Sequence, residues 1–157
     1  MTTSYDDLAR AGAKPIAIGW WVTAGFAVVA AAASLWRELR WGAAAYEVAM
    51  MLAGTVLFVI GFLRSARRSR HEVLTVAGTF FLLDGVAPRV RRVLLAQVTL
   101  QVAIAIAAAT LRRYGAFAIL APVFGVGLMA FWGATWGVFP ARGAHPRKSG
   151  PPAASSS

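Results

Sequence analysis

An all-α membrane protein, built as a bundle of four transmembrane helices, is the fold this sequence predicts. Three observations predict it. Apolar residues make up 59% of the 157-residue chain and charged residues only 14%, against about 45–50% and about a quarter in soluble domains. Mean hydropathy is +0.63. Four stretches with little or no charge are each long enough to cross about 30 Å of hydrocarbon at 1.5 Å per residue. A soluble chain this short leaves too much of its surface in water to hide so much apolar matter. The balance excludes a soluble enzyme and a disordered regulator. With no Cys, disulfides, thiolate metal sites and lipidation at sulfur are excluded as well.

Residues 1–14 form a polar cytoplasmic N-terminal segment ahead of a membrane domain over 15–139. The first span is 15–36. Arg10, Lys14 and the small residues Ala31, Ala32 and Ala33 resemble a cleavable signal peptide. The uncharged run, however, exceeds the roughly 7–15 residues of a secretory core, so an uncleaved span is expected. The second span, 42–63, is interrupted only by Glu47. The third, 93–111, contains Gln97 and Gln101. The fourth, 115–139, is uncharged and is expected to bend at Pro122, which removes a backbone donor and crowds the preceding turn. Residues 140–157, rich in Pro, Ser and Ala, read as a disordered tail.

Aromatic and basic residues set the ends and the orientation. Trp and Tyr favour the headgroup level. Trp36, Trp41 and Tyr114 fall at one end of the spans, and Trp20, Trp21, Trp132 and Trp136 fall toward the other. With both termini cytoplasmic, twelve of the sixteen Lys and Arg residues lie inside and four outside. The positive-inside rule therefore places the chain in the cell inner (plasma) membrane with both termini and the loop 64–92 in the cytoplasm. The outer turns are very short, which forces antiparallel neighbours.

The inner loop is the one connection of substance. Its apolar stretch, 73–88, is too short and too polar for a fifth span. An interfacial or re-entrant segment packed on protein and a hairpin pairing 73–76 with 79–83 both fit, and plugging the inner end of the bundle is the plainest role. Phe80, Phe81, Leu82 and Leu83, with Asp84 close by, form an apolar cluster of the kind that marks contact sites when exposed. Arg64, Arg67, Arg68 and Arg70 on one side, and Arg89, Arg91 and Arg92 on the other, suit anionic lipid headgroups or a partner. Nucleic acid is not expected, because no recognition fold accompanies the charge.

Inside the spans, ionisable and amide side chains are the functional candidates. Glu47 sits near the outer boundary, where an ion pair or a hydrogen-bonded neutral carboxyl is the expected role. Gln97 and Gln101 share one helical face and are expected to point inward as helix glue; lining a polar cavity is the alternative. Small residues recur at spacing four at Ala45, Ala49 and Ala53, and at Ala121, Gly125, Gly133 and Gly137 with Met129 breaking the row, as packing ridges require. No catalytic residue, cofactor site or metal site is expected: His71 and His145 belong to no recognised motif.

The strings GTFFLLDGVAPRVRR and FAILAPVFGVGLMAFWGATWGVFP, within residues 45–142, resemble small four-span integral membrane proteins of high-GC Gram-positive bacteria. The resemblance implies a four-span fold and carries over no activity, cofactor or functional residue. The sequence leads to the expectation of a non-catalytic accessory or scaffold subunit of a cell-envelope or membrane complex. It would contact the anionic inner leaflet, a membrane protein partner or a second copy through its cytoplasmic loop. The rival reading is a small transporter or channel using Glu47, Gln97 and Gln101.

Overall fold

In the computed structural model, residues 12–70, 72, 82, 86–111 and 115–139 are described. They form four helices: α1 (Ala13–Leu35), α2 (Arg40–Arg68), α3 (Pro88–Leu111) and α4 (Pro122–Trp136). All are long and apolar enough to cross a membrane once the 3₁₀ segment Gly115–Leu120 is joined to α4. Among the described residues there is no strand.

The helix ends follow from local chemistry. α1 stops where Trp36 turns extended (ψ 119°), its N–H still bonded to the Ala32 carbonyl at 2.8 Å. One 3₁₀ turn, Arg37–Leu39, then reverses the chain into α2. At 29 residues, α2 is about 43 Å long, more than the hydrocarbon needs, and its last turn carries Arg67 and Arg68. Cations there complement the negative end of the helix dipole. α3 starts at Pro88, so Arg89, Arg91 and Arg92 ride on its first turn.

Pro122 does not lie inside a continuous α-helix. It opens α4, with Ala121 as the N-cap, a position where its missing N–H is not needed. The turn before it is 3₁₀, so the fourth span is two segments meeting at the proline.

Around the bundle the order is α1, α2, α4, α3. The sequential pairs α1–α2 and α3–α4 are antiparallel neighbours, as their short turns require. The pairs α1–α3 and α2–α4 run parallel, side by side. Consecutive helices α2 and α3 therefore sit on a diagonal and barely meet among the described residues. Their connection has to cross one end of the bundle, which explains its length. That end, where α1 and α3 begin and α2 and α4 finish, is here named the Arg68 end; the opposite one is the Trp41 end.

α4 is the enclosed element: 61% of its apolar window is buried, against 22–28% for the other three helices. The outward faces stay hydrophobic, with Ile18, Val28, Leu52, Val56, Phe62 and Ile106 all exposed. Soluble proteins rarely display such continuous apolar surface, whereas a helix facing lipid needs it. The inward face of α2 is Ala43, Glu47, Met50, Gly54, Gly61 and Ser65. Ala45, Ala49 and Ala53 are exposed, so the expected alanine ridge of the second span faces away from the fold. Ala121, Gly125, Gly133 and Gly137 are buried as expected. Trp132 lies at the Arg68 end and is buried in protein: it is 2% exposed, and its indole N–H donates to the Gly12 carbonyl at 3.1 Å.

The expected hairpin or re-entrant stretch over 73–88, with Phe80, Phe81 and Asp84, lies mostly outside the described residues. Its residue Leu82 is described; it is fully buried in the core and holds a positive φ of 53°.

Candidate functional site

Polar side chains gather in the α1–α3 seam, in the middle of the apolar bundle. Gln101 on α3 donates from Nε2 to Thr23 Oγ1 on α1 at 2.7 Å. The Thr23 hydroxyl in turn donates to the Gly19 carbonyl at 2.8 Å. The result is a relay from one helix side chain into the backbone of its neighbour. One turn along α3, Gln97 lies directly against Gly19, where a β-carbon would collide with its amide. Gly125 of α4 closes the third side: a β-carbon there would stand 2.6 Å from Gln101 Oε1.

These groups are sealed. Gln101 is 0% exposed, and Gln97, Glu47 and Thr23 are 1% each. Among the described residues, both polar atoms of the Gln97 amide, and Gln101 Oε1, have no hydrogen-bond partner, which is costly in a medium without water. Glu47 is equally buried, on the inward face of α2, and is engaged by an interaction with another group. The structure therefore brings Gln101 to Thr23 and Gln97 to Gly19, one turn away on each helix. The signal for it is the spacing: Gly19 and Thr23 are four apart, as are Gln97 and Gln101, so two matching faces meet.

The Arg68 end has a second polar assembly, on the α2–α4 seam. Arg68 Nη1 donates to the Ala134 carbonyl at 2.9 Å, and Nη2 donates to the Gly137 carbonyl at 3.0 Å and to Glu72 Oε2 at 2.7 Å. Carbonyls at a helix C-terminus lack intrahelical donors and carry the negative end of the dipole. The planar guanidinium fork meets two of them at once. Arg64 donates to Thr135 Oγ1 at 2.6 Å and lies 4.8 Å from the centre of the Phe131 ring.

Of the expected lipid or partner contacts, then, Arg68 is committed within the protein and Arg64 is tied to α4 while remaining exposed. Arg67, Arg70, Arg89 and Arg92 are exposed, and Arg91 is half-buried. Among the described residues, no three His, Asp or Glu side chains converge as metal ligands.

Two surface hollows flank these assemblies. One, of about 480 Å³ at the Trp41 end, is bounded by Arg37, Arg40 and Trp41. The other, of about 360 Å³, opens between α1 and α2 at the Arg68 end, with α4 as its floor.

Fold and interior together define the class, a helical multi-pass membrane protein whose buried polar groups join helices. Compared with known proteins, the chain matches no family model, no curated protein and no solved structure.

Proposed function

We propose that the chain is a non-catalytic accessory or scaffold subunit of a bacterial membrane or cell-envelope complex. Both termini and the 69–87 connection would lie in the cytoplasm, and the Arg68 end would contact a partner or the anionic leaflet. One contrast supports the reading. The interior polar side chains are buried, with Gln101 bonded to Thr23 across two helices, while Arg67, Arg70, Arg89 and Arg92 stand exposed at a single end. Recognition is then a matter for the surface. An excess of cations beside the membrane favours the cytoplasmic side, and each is worth about 1 kcal/mol near an anionic leaflet.

Reporter fusions at residue 70, combined with crosslinking in cells and mass spectrometry of co-purified proteins, test this. The expected result is a cytoplasmic signal and a reproducible membrane partner. An external signal, or isolation alone after crosslinking, overturns it. Solute or proton flux in proteoliposomes that Glu47→Gln abolishes would replace it with a small transporter or channel using Glu47, Gln97 and Gln101.

A further inference from the structure

The cleft at the Arg68 end exists because α1 and α2 part company. At the opposite end they are tied by the Arg37–Leu39 turn and, further along, by the Tyr46 hydroxyl donating to the Val22 carbonyl at 3.0 Å. Eighteen residues from Trp36 on one side and from Leu39 on the other, Ile18 and Leu57 face each other across a gap. Its floor is α4, through Phe124, Leu128, Phe131 and Trp136. Among the described residues, Lys14 is its one charged lining residue. At the same end, Arg64 is held over the Phe131 wall by its bond to Thr135. Both cations are exposed. The volume, about 360 Å³, is at the small end for ligand pockets, and the opening is on a flank that faces hydrocarbon.

We propose that this cleft binds one anionic phospholipid, with an acyl chain between α1 and α2 and the headgroup phosphate on Lys14 and Arg64. An apolar slot with cations at the headgroup end matches the two halves of such a molecule. A soluble anion would use only the cations at the rim, and a partner helix, about 10–12 Å across with its side chains, asks for more room than a hollow of about 360 Å³ provides. In the cell, the inference rests on the reading that the Arg68 end meets the anionic leaflet.

The test uses the full chain in mild detergent and a photoreactive phosphatidylglycerol carrying a diazirine on one acyl chain. Excess unlabelled phosphatidylcholine is present, and the adducts are mapped by mass spectrometry. Adducts are expected on Ile18, Leu57 and Leu128, and each of Lys14→Gln and Arg64→Gln should lower them about fivefold. Arg37→Gln, at the opposite end of the bundle, should leave them unchanged. Ile18→Trp, at a position already 60% exposed, should block the slot without touching either cation. Labels spread evenly over all four helices, equal labelling by the matching phosphatidylcholine probe, or full labelling in Ile18→Trp would overturn the proposal. Labelling in detergent depends on neither orientation nor a partner, so its outcome is separable from the reporter and crosslinking result.

Discussion

The two parallel seams of the bundle join apolar helices by different means. α1 and α3 meet through side-chain hydrogen bonds, with Gln101, Thr23 and the Gly19 carbonyl in series. α2 and α4 meet through missing side chains. A β-carbon on Gly54 would stand 2.5 Å from Phe124 Cα, one on Gly127 would collide with the Gly54 carbonyl, and one on Gly61 would stand 2.8 Å from the Ala130 carbonyl carbon. Lipid supplies no hydrophobic drive between helices, so association has to come from close packing or from polar glue. Close glycine contacts dominate the α2–α4 seam, which Arg68 and Arg64 close at one end, and side-chain bonding dominates the α1–α3 seam. The glycine seam has backbone as its obstacle and cannot yield; the polar seam has side chains that can rotate.

The largest effect follows from that difference. Gly127→Val drives two branched carbons into the α2 backbone and should cost at least about 3 kcal/mol, the upper part of the overpacking range. Reversible unfolding in mixed micelles reads it as loss of the folded state. Gly42→Ala is the matched control. No heavy atom lies near its β-carbon position, so the change should be neutral or add up to about 1 kcal/mol through helix propensity. Equal losses at the two positions would mean that the glycine seam is not what holds α2 to α4.

Next in size is the clamp that finishes the same seam. Arg68→Ala leaves the Ala134 and Gly137 carbonyls without their side-chain donor. Hydrogen bonds from a charged group are worth about 1.5–3 kcal/mol. The side chain is 28% exposed, so screening reduces the expected loss to about 1–2 kcal/mol. Glu72→Ala removes just an i,i+4 pair and should cost about 0.5 kcal/mol. Faster proteolysis of the α4 C-terminus in Arg68→Ala, but not in Glu72→Ala, separates the clamp from the ion pair.

How far the sequence exposes this architecture depends on which property carries the information. The four spans are legible because length and hydropathy are properties of consecutive residues. The inward aim of Gln97 and Gln101 is legible because amides in hydrocarbon have few other places to go. The choice of packing ridge is not. In water the buried face of a helix is its apolar face, but here every face is apolar, so periodicity cannot separate the exposed Ala45, Ala49 and Ala53 from the buried Gly54 and Gly61. Arg68 illustrates a second limit. Counted as charge, it belongs with the lipid-facing cations; its carbonyl partners lie 66 and 69 residues away, a distance that no local pattern spans. The role of Pro122 turns on whether the chain before it is α or 3₁₀, and the proline alone does not decide that.

The polar seam gives the finest discrimination, because its two glutamines share a helix face and differ in bonding. Gln101→Leu removes the donor to Thr23, yet Thr23 still bonds Gly19, so the loss should be about 1 kcal/mol, as for other hydrogen bonds between membrane helices. Gln97→Leu removes an amide whose oxygen and nitrogen both lack partners among the described residues. Replacing an unsatisfied buried group by an apolar one of similar size is neutral or stabilising. Measured in one micelle system, Gln97→Leu should therefore match or exceed the parent in stability while Gln101→Leu falls below it. If Gln97→Leu proved the more damaging of the two, the Gln97 amide would have to be holding a bonded group in the membrane, and the α1–α3 seam would join through two glutamines rather than one.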